Sequence, residues 1–211
     1  MISFCIRTNY ARPKEFQLLI SSIDILTHID KEIIITGVLP KNMERADFIY
    51  FPMIEEAKTG QTSKMRDKGF ELANGKYIVA LDDDIIINKL IITEDDIQIP
   101  KCYNVNGGRF YDWCCQPPIR KMDYSEPYSK NNYLSGQCFI IKAEIAKKIK
   151  HGNKLFHEGD DVDYGMKLQN AGYIFTLSES LFIHNDKRII NVEELMQQTH
   201  KMIESFKIQN K

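Results

Sequence analysis

The stretch Tyr77-Ile78-Val79-Ala80-Leu81-Asp82-Asp83-Asp84 decides the fold. Five apolar or aromatic residues run straight into three carboxylates. A run this short, ending in acid, reads as a buried strand whose C-terminal tip opens at a surface cleft. In α/β sheets, ligands bind outside the carboxyl ends of the strands. Three adjacent carboxylates repel one another, so the tip calls for a counter-charge. Divalent cations such as magnesium, manganese and calcium prefer carboxylate oxygens. The same three residues also suit an acidic turn, where Asp accepts backbone hydrogen bonds.

Upstream, residues 3–7 alternate as a first strand, and Thr8-Asn9-Tyr10-Ala11-Arg12-Pro13 is a loop leading into a helix over 15–26, with Phe16, Leu19, Ile20, Ile23 and Leu26 at helical spacing. Residues 32–36 form a second strand stopped by Gly37, and 48–51 a short third one ended by Pro52. Ser63 is expected to cap a helix over 64–73, which Asn74-Gly75 ends. Downstream, 94–132 mixes acidic, aromatic, Gly and Pro residues without a period and reads as short strands and a long loop able to close over a ligand. Residues 133–141 read as one strand, 142–150 as a short helix, 160–171 as an amphipathic helix, and 173–177 and 181–183 as two short strands. A terminal helix follows from Val192.

Strand and helix alternate, which predicts an α/β domain with a mostly parallel sheet. The 211 residues fit one domain, with a first half over 1–92, a second half over 93–190 and a terminal helix over 191–211. A hydrophobic fraction of 43% and a charged fraction of 27% are those of a globular protein. The formal net charge of -1 supplies no basic field for nucleic acid. The five cysteines show no CxxC spacing, so they read as reduced thiols rather than a zinc site. The opening residues do not make a signal peptide, because Arg7 interrupts a short apolar stretch. A cytoplasmic location is expected, with any membrane contact peripheral.

Three further groups can carry chemistry. Glu158-Gly159-Asp160-Asp161-Val162-Asp163 places four acids in six residues. A helix dipole welcomes acids in the first turn, yet four exceed what it asks. The alternative is a general base facing the cleft. His184, after Leu181-Phe182-Ile183, either completes a cation's coordination or makes a local hydrogen bond. Lys64, Arg66 and Lys68 either form a solvated basic face or neutralise a phosphate, for which Arg is well shaped.

Taken in order, four segments resemble the metal-dependent glycosyltransferases of the GT-A fold, family 2 in particular. They are Phe4-Cys5-Ile6-Arg7-Thr8-Asn9-Tyr10-Ala11-Arg12; Lys64-Met65-Arg66-Asp67-Lys68-Gly69 running on to the acidic strand; Leu134-Ser135-Gly136-Gln137-Cys138-Phe139-Ile140-Ile141-Lys142; and the acidic helix with Gly172-Tyr173 and His184. The resemblance implies a Rossmann-like, mostly parallel sheet flanked by helices, with a small antiparallel part on the acceptor side. It implies transfer of a sugar from a nucleotide-diphosphate sugar to a hydroxyl of a glycan, lipid-linked or protein acceptor, with inversion. Mn2+ or Mg2+ would sit on Asp84, His184 and Asp82. Thr8, Asn9, Arg12, Lys64, Arg66, Asp82 and Asp83 would hold the donor. Asp161 would be the catalytic base, with Asp160 beside it. Trp113, Gly136 and Gln137 would meet the acceptor, with Trp113, Tyr111 or Phe110 either stacking on its sugar or packing in the core. Two positions depart from the pattern: Thr36-Gly37, where relatives often carry an acid, and Asp67, where Asn is usual. The rival readings are a nucleotidyltransferase, which lacks its Gly-rich phosphate loop here, and a non-catalytic sugar- or metal-binding module.

Overall fold

The computed structural model describes residues 1–115, 120–153, 155 and 159–185. Its main sheet has eight strands: β1 (Ile2–Thr8), β2 (Lys31–Gly37), β3 (Phe48–Pro52), β4 (Tyr77–Asp82), β5 (Ile85–Lys89), β6 (Ile97–Asn104), β10 (Cys138–Lys142) and β11 (Phe175–His184). The order is β3-β2-β1-β4-β10-β6-β11-β5. The first four strands pair in parallel, while β10 runs antiparallel to both β4 and β6. A second, antiparallel sheet joins β7 (Cys114–Cys115), β8 (Arg120–Lys121) and β9 (Asn132–Tyr133) in the order β8-β7-β9. The expected mixed α/β architecture is therefore present.

The parallel strands are buried on both faces, which is why they read as unbroken apolar runs. Alternation at period two still sorts their side chains. Phe4, Ile6, Val79 and Leu81 pack on one face, against Phe16, Leu19, Ile20 and Ile23 of α1 (Pro13–Asp24). Cys5, Ile78 and Ala80 pack on the other, with Phe70 of α3 (Thr62–Leu72), Phe139 and Tyr164 of α5 (Asp160–Asn170). The four α1 residues form a stripe at i, i+3, i+4, i+7, and burying each stabilises the fold by about 2 kcal/mol. Two shorter α-helices, α2 (Ile54–Thr59) and α4 (Ala143–Lys148), also lie among the described residues.

Several local expectations are corrected. Ser63 lies inside α3, which starts at Thr62 after Gln61, and no side chain caps it. The single strand expected over 133–141 is two, β9 and β10. Conversely, the two short strands over 173–183 are one long strand, β11, bent by a bulge between Ser178 and Leu181. The Ser178 and Ser180 hydroxyls both donate to the Ile91 carbonyl, so a polar interruption that reads as a turn is tied into the core. Strand β5, directly after the acidic tip, was not anticipated. Much of 94–132 is framework: β6 lies in the main sheet, and Val105 to Asp112 is the loop that reaches the cleft. Glu158 and the expected terminal helix lie outside the described residues.

Candidate active site

The C-terminal ends of β1 and β4 open into one crevice, where the parallel register sets Arg7 beside Asp82. Arg7 is almost fully buried. Its Nε donates to Asp82 Oδ1 at 2.5 Å and its Nη2 to Asp82 Oδ2 at 3.1 Å, while Nη1 reaches Asp160 Oδ2 at 3.3 Å. Arg66, from α3, adds a bond to Asp82 Oδ1 at 2.9 Å. Burial alone would raise the Asp82 carboxyl; the Arg7 and Arg66 charges outweigh it and hold the pKa below its ordinary value. Burial and the neighbouring Arg7 charge pull Arg66 down to about 10. Both oxygens of Asp82 are thus engaged by guanidinium groups.

Asp83 and Asp84 have other partners. Asp83 accepts a hydrogen bond from the Thr8 hydroxyl at 2.6 Å and lies 3.1 Å from Arg12 Nη2. Burial pushes its pKa up. Asp84 Oδ2 accepts a bond from Arg12 Nη1 and lies 3.2 Å from His184 Nε2. The register explains that last contact, since β11 pairs with β5 so that His184 faces Ile85, and the Asn185 amide donates to the Asp84 carbonyl at 2.8 Å. His184 Nδ1 lies 3.3 Å from Asn104 Oδ1, and its ring stacks on Phe110 at 4.1 Å between centroids. A tautomer that donates from Nδ1 to Asn104 turns the Nε2 lone pair toward a carboxylate oxygen. Two facing acceptors at this distance share a proton or a cation. Carboxylate and imidazole donors suit Mn2+ or Mg2+. Among the described residues no three His, Cys, Asp or Glu side chains gather to hold a metal ion, so Asp84 and His184 would supply part of a coordination sphere.

The crevice has two lobes, with Arg7 and Asp82 on the wall of both. One, of about 260 Å³, is lined by Thr8, Asn9, Arg12, Thr62, Met65 and Asp83 among others. The other, of about 230 Å³, is lined by Tyr111, Ser135, Gly136, Gln137, Asp160 and Asp161. Each falls below the usual span of a small-molecule site, so a nucleotide carrying a second group would need both. Gly37 belongs to the first lobe's framework. Its φ is +115°, and a Cβ there would come within 2.0 Å of the Thr8 carbonyl. The close approach lets the Val38 amide donate to that carbonyl, and this explains glycine at the position where an acid was expected.

The two acids that open α5 have different surroundings. Asp160 is buried, accepting a hydrogen bond from the Thr62 hydroxyl at 2.8 Å besides its contact with Arg7. Asp161 is half-buried, with Oδ1 accepting its neighbour Val162's amide and Oδ2 the Gly136 amide at 3.2 Å. Gln137 ties the lobes together: its carbonyl accepts the Asp82 amide, and its Nε2 donates to the Tyr111 carbonyl.

Most residues singled out from sequence converge here, but Lys64, Lys68, Asp163 and Trp113 do not. Lys64 lies on α3 and lines neither lobe. Trp113 is buried in the core, donating Nε1–H to the Glu126 carbonyl; its neighbour Tyr111, 46% exposed, lines the second lobe instead. Sequence reasoning missed Arg7, Thr62, Asn104 and the stacking role of Phe110. Arg7 carried the clearest signal, being a lone charge inside an otherwise apolar strand.

The fold and crevice define a GT-A-type α/β domain. The solved structures that share it include S. aureus TarS residues 1-349. The complex with UDP-GlcNAc matches with a TM-score of 0.63 and 14% identity, covering 91% of this chain and 60% of that one. The complex with UDP gives 0.60 and 14%, covering 92% and 64%, and TarS 1-349 without a named ligand gives 0.55 and 16%, covering 88% and 58%. This chain therefore spans less than two thirds of each. No protein-family model and no curated protein sequence matches it. No described helix is long and apolar enough to cross a membrane.

Proposed function

We propose that this chain is a metal-dependent glycosyltransferase that moves a sugar from a nucleotide-diphosphate sugar to an acceptor hydroxyl, with inversion. One observation carries the reading. Asp161 lines the second lobe, Arg7 and Asp82 line both, and Arg12 of the first lobe bonds the same Asp84 that meets His184. A carboxylate in one lobe and a cation-binding pair bordering the other is the division of labour that displacement at an anomeric carbon requires.

Thr8, Asn9 and Arg12 would hold the nucleotide diphosphate in the first lobe. Asp84 and His184 would hold Mn2+ or Mg2+, which when bound screens the charge of the departing diphosphate. Asp161 would accept the proton of the acceptor hydroxyl as its oxygen attacks the anomeric carbon, and a single attack inverts the configuration. The Gly136 amide aims the carboxylate without neutralising it. Asp160, held by Arg7 and Thr62, is placed to anchor the start of α5 rather than to exchange protons. Tyr111 would offer its face to the acceptor sugar. The S. aureus TarS complexes with UDP-GlcNAc and UDP make a uridine nucleotide the first donor to try. Glycan, lipid-linked and protein acceptors remain open to assay, and a cytoplasmic site of action goes with the reading.

The test is incubation with nucleotide sugars and Mn2+, following release of nucleoside diphosphate in the presence and absence of acceptor. Asp161→Asn should retain donor binding by thermal shift and lose turnover. A chain that binds nucleotide sugar and never releases diphosphate would be a binding module of the same fold.

A further inference from the structure

The tip of β4 brings three carboxylates together, and three guanidinium groups answer them. Arg7 and Arg66 belong to Asp82 and are packed into the core, their side chains 9% and 4% exposed. Arg12 differs from both. It bridges Asp83 and Asp84, and its side chain is 35% exposed at the end of the loop that precedes α1. Its contact on Asp84 is Oδ2, the same oxygen that faces His184 Nε2. A guanidinium on that oxygen and a dication between Asp84 and His184 would repel each other at short range, so they exclude one another.

Arg12 also lines the lobe that would receive the diphosphate. Its planar fork suits a pair of phosphate oxygens as well as it suits a pair of carboxylates. We infer that Arg12 is an exchangeable counter-ion: it pairs with Asp83 and Asp84, releases Asp84 to a divalent cation, and passes its guanidinium to the diphosphate that arrives with the metal. The inference rests on the reading above, in which the site takes a nucleoside diphosphate. No covalent step is involved; two ion pairs exchange partners.

The consequence is linkage. Diphosphate draws Arg12 off Asp84 and so opens the metal position, while the metal displaces Arg12 and so frees it for diphosphate. Each ligand raises the other's affinity by the same factor. The coupling comes in addition to any direct contact between metal and phosphate, and it disappears when residue 12 carries no charge.

Calorimetric titration of Mn2+ into the full chain, with and without UDP, tests this for the native protein, Arg12→Gln and Arg12→Lys. Arg12→Gln should bind Mn2+ alone about tenfold more tightly than native and bind UDP about tenfold more weakly, with the mutual enhancement reduced. Arg12→Lys should keep the weak Mn2+ affinity, because the competing charge remains, and still lose UDP affinity, because the fork is gone. Unchanged or weaker Mn2+ binding by Arg12→Gln, in a variant with native circular dichroism, overturns the exchange. Unchanged UDP affinity in both variants overturns the hand-over. The Mn2+ arm needs no nucleotide. If no protein binds UDP or any other nucleoside diphosphate, the glycosyltransferase reading fails, while competition at Asp84 is still decided.

Discussion

His184 Nε2 lies 3.2 Å from Asp84 Oδ2, although nearly half the chain separates the two residues. Backbone pairing creates the contact. Strand β5 leaves the acidic tip, β11 returns antiparallel to it, and the Asn185 amide bonds the Asp84 carbonyl. Because strands hold the pair, either side chain can be truncated without loosening the sheet. His184→Ala should therefore leave the melting temperature within a few degrees of native and weaken Mn2+ binding by about tenfold or more, as loss of one ligand does. A Mn2+ titration by electron paramagnetic resonance reads this directly; equal affinity in native and variant would remove His184 from the metal site.

The position of Asp161 depends on the absence of a side chain at residue 136. A Cβ on Gly136 would come within 2.7 Å of Asp161 Cβ and 3.1 Å of its Oδ2. Gly136→Ala must therefore push the carboxylate away from its place in the second lobe. A displacement of this size costs a catalytic group up to about 100-fold in rate. The expected result is a large fall in kcat with donor affinity unchanged, since none of the first lobe's lining residues is touched. Parallel loss of donor binding would mean that Gly136 supports the whole crevice instead.

The apolar runs and their helical or twofold periods made β1, β2, β4, α1 and α5 legible in the sequence, because burial on both faces or along one stripe leaves a local trace. Pairing across the sheet leaves none. The meeting of Asp84 with His184 was expected from a family resemblance and rests on the β5–β11 register, which residue spacing does not encode. Strand β5 escaped because Ile85 follows Asp84 with no Gly or Pro to mark the turn. Arg7 reads in sequence as a charge that breaks an apolar stretch, yet a buried charge near the end of a strand must find a partner, and the parallel register supplies Asp82. The three aromatics Phe110, Tyr111 and Trp113 are alike in sequence, and only packing separates them: Trp113 is core, and Tyr111 is the exposed ring.

Arg7 should matter to stability more than to ligand binding. It compensates Asp82 and Asp160, both in the wall of the crevice, and little of its own side chain reaches solvent. Arg7→Met keeps much of the volume and removes the charge, leaving Arg66 as the remaining guanidinium on Asp82. Breaking a buried pair in this way costs about 3–5 kcal/mol. Urea denaturation should show a loss of that order. The double variant Arg7→Met with Asp160→Asn should recover part of it, because one uncompensated charge is gone. A single variant within about 0.5 kcal/mol of native would show that Arg66 alone satisfies Asp82.

Stability should also fall with acid through one buried histidine. His151 is buried, stacked on Tyr164 at 3.6 Å between centroids, with Nδ1 2.9 Å from Asp67 Oδ1. Burial lowers its pKa from 6.5 to about 4, and the bond to Asp67 offsets this only in part. Between these values the unfolded chain takes up a proton that the folded chain does not, so stability rises with pH across the window and is lost as pH falls from about 6.5 toward 4. The loss is at most roughly 3 kcal/mol. Asp67 also accepts the amides of His151 and Gly152, so its carboxylate keeps two partners when the imidazole is replaced. In His151→Gln the slope of unfolding free energy against pH in this window should therefore flatten, as read from urea melts at three or four pH values. Parallel slopes in native and variant would place the acid sensitivity elsewhere.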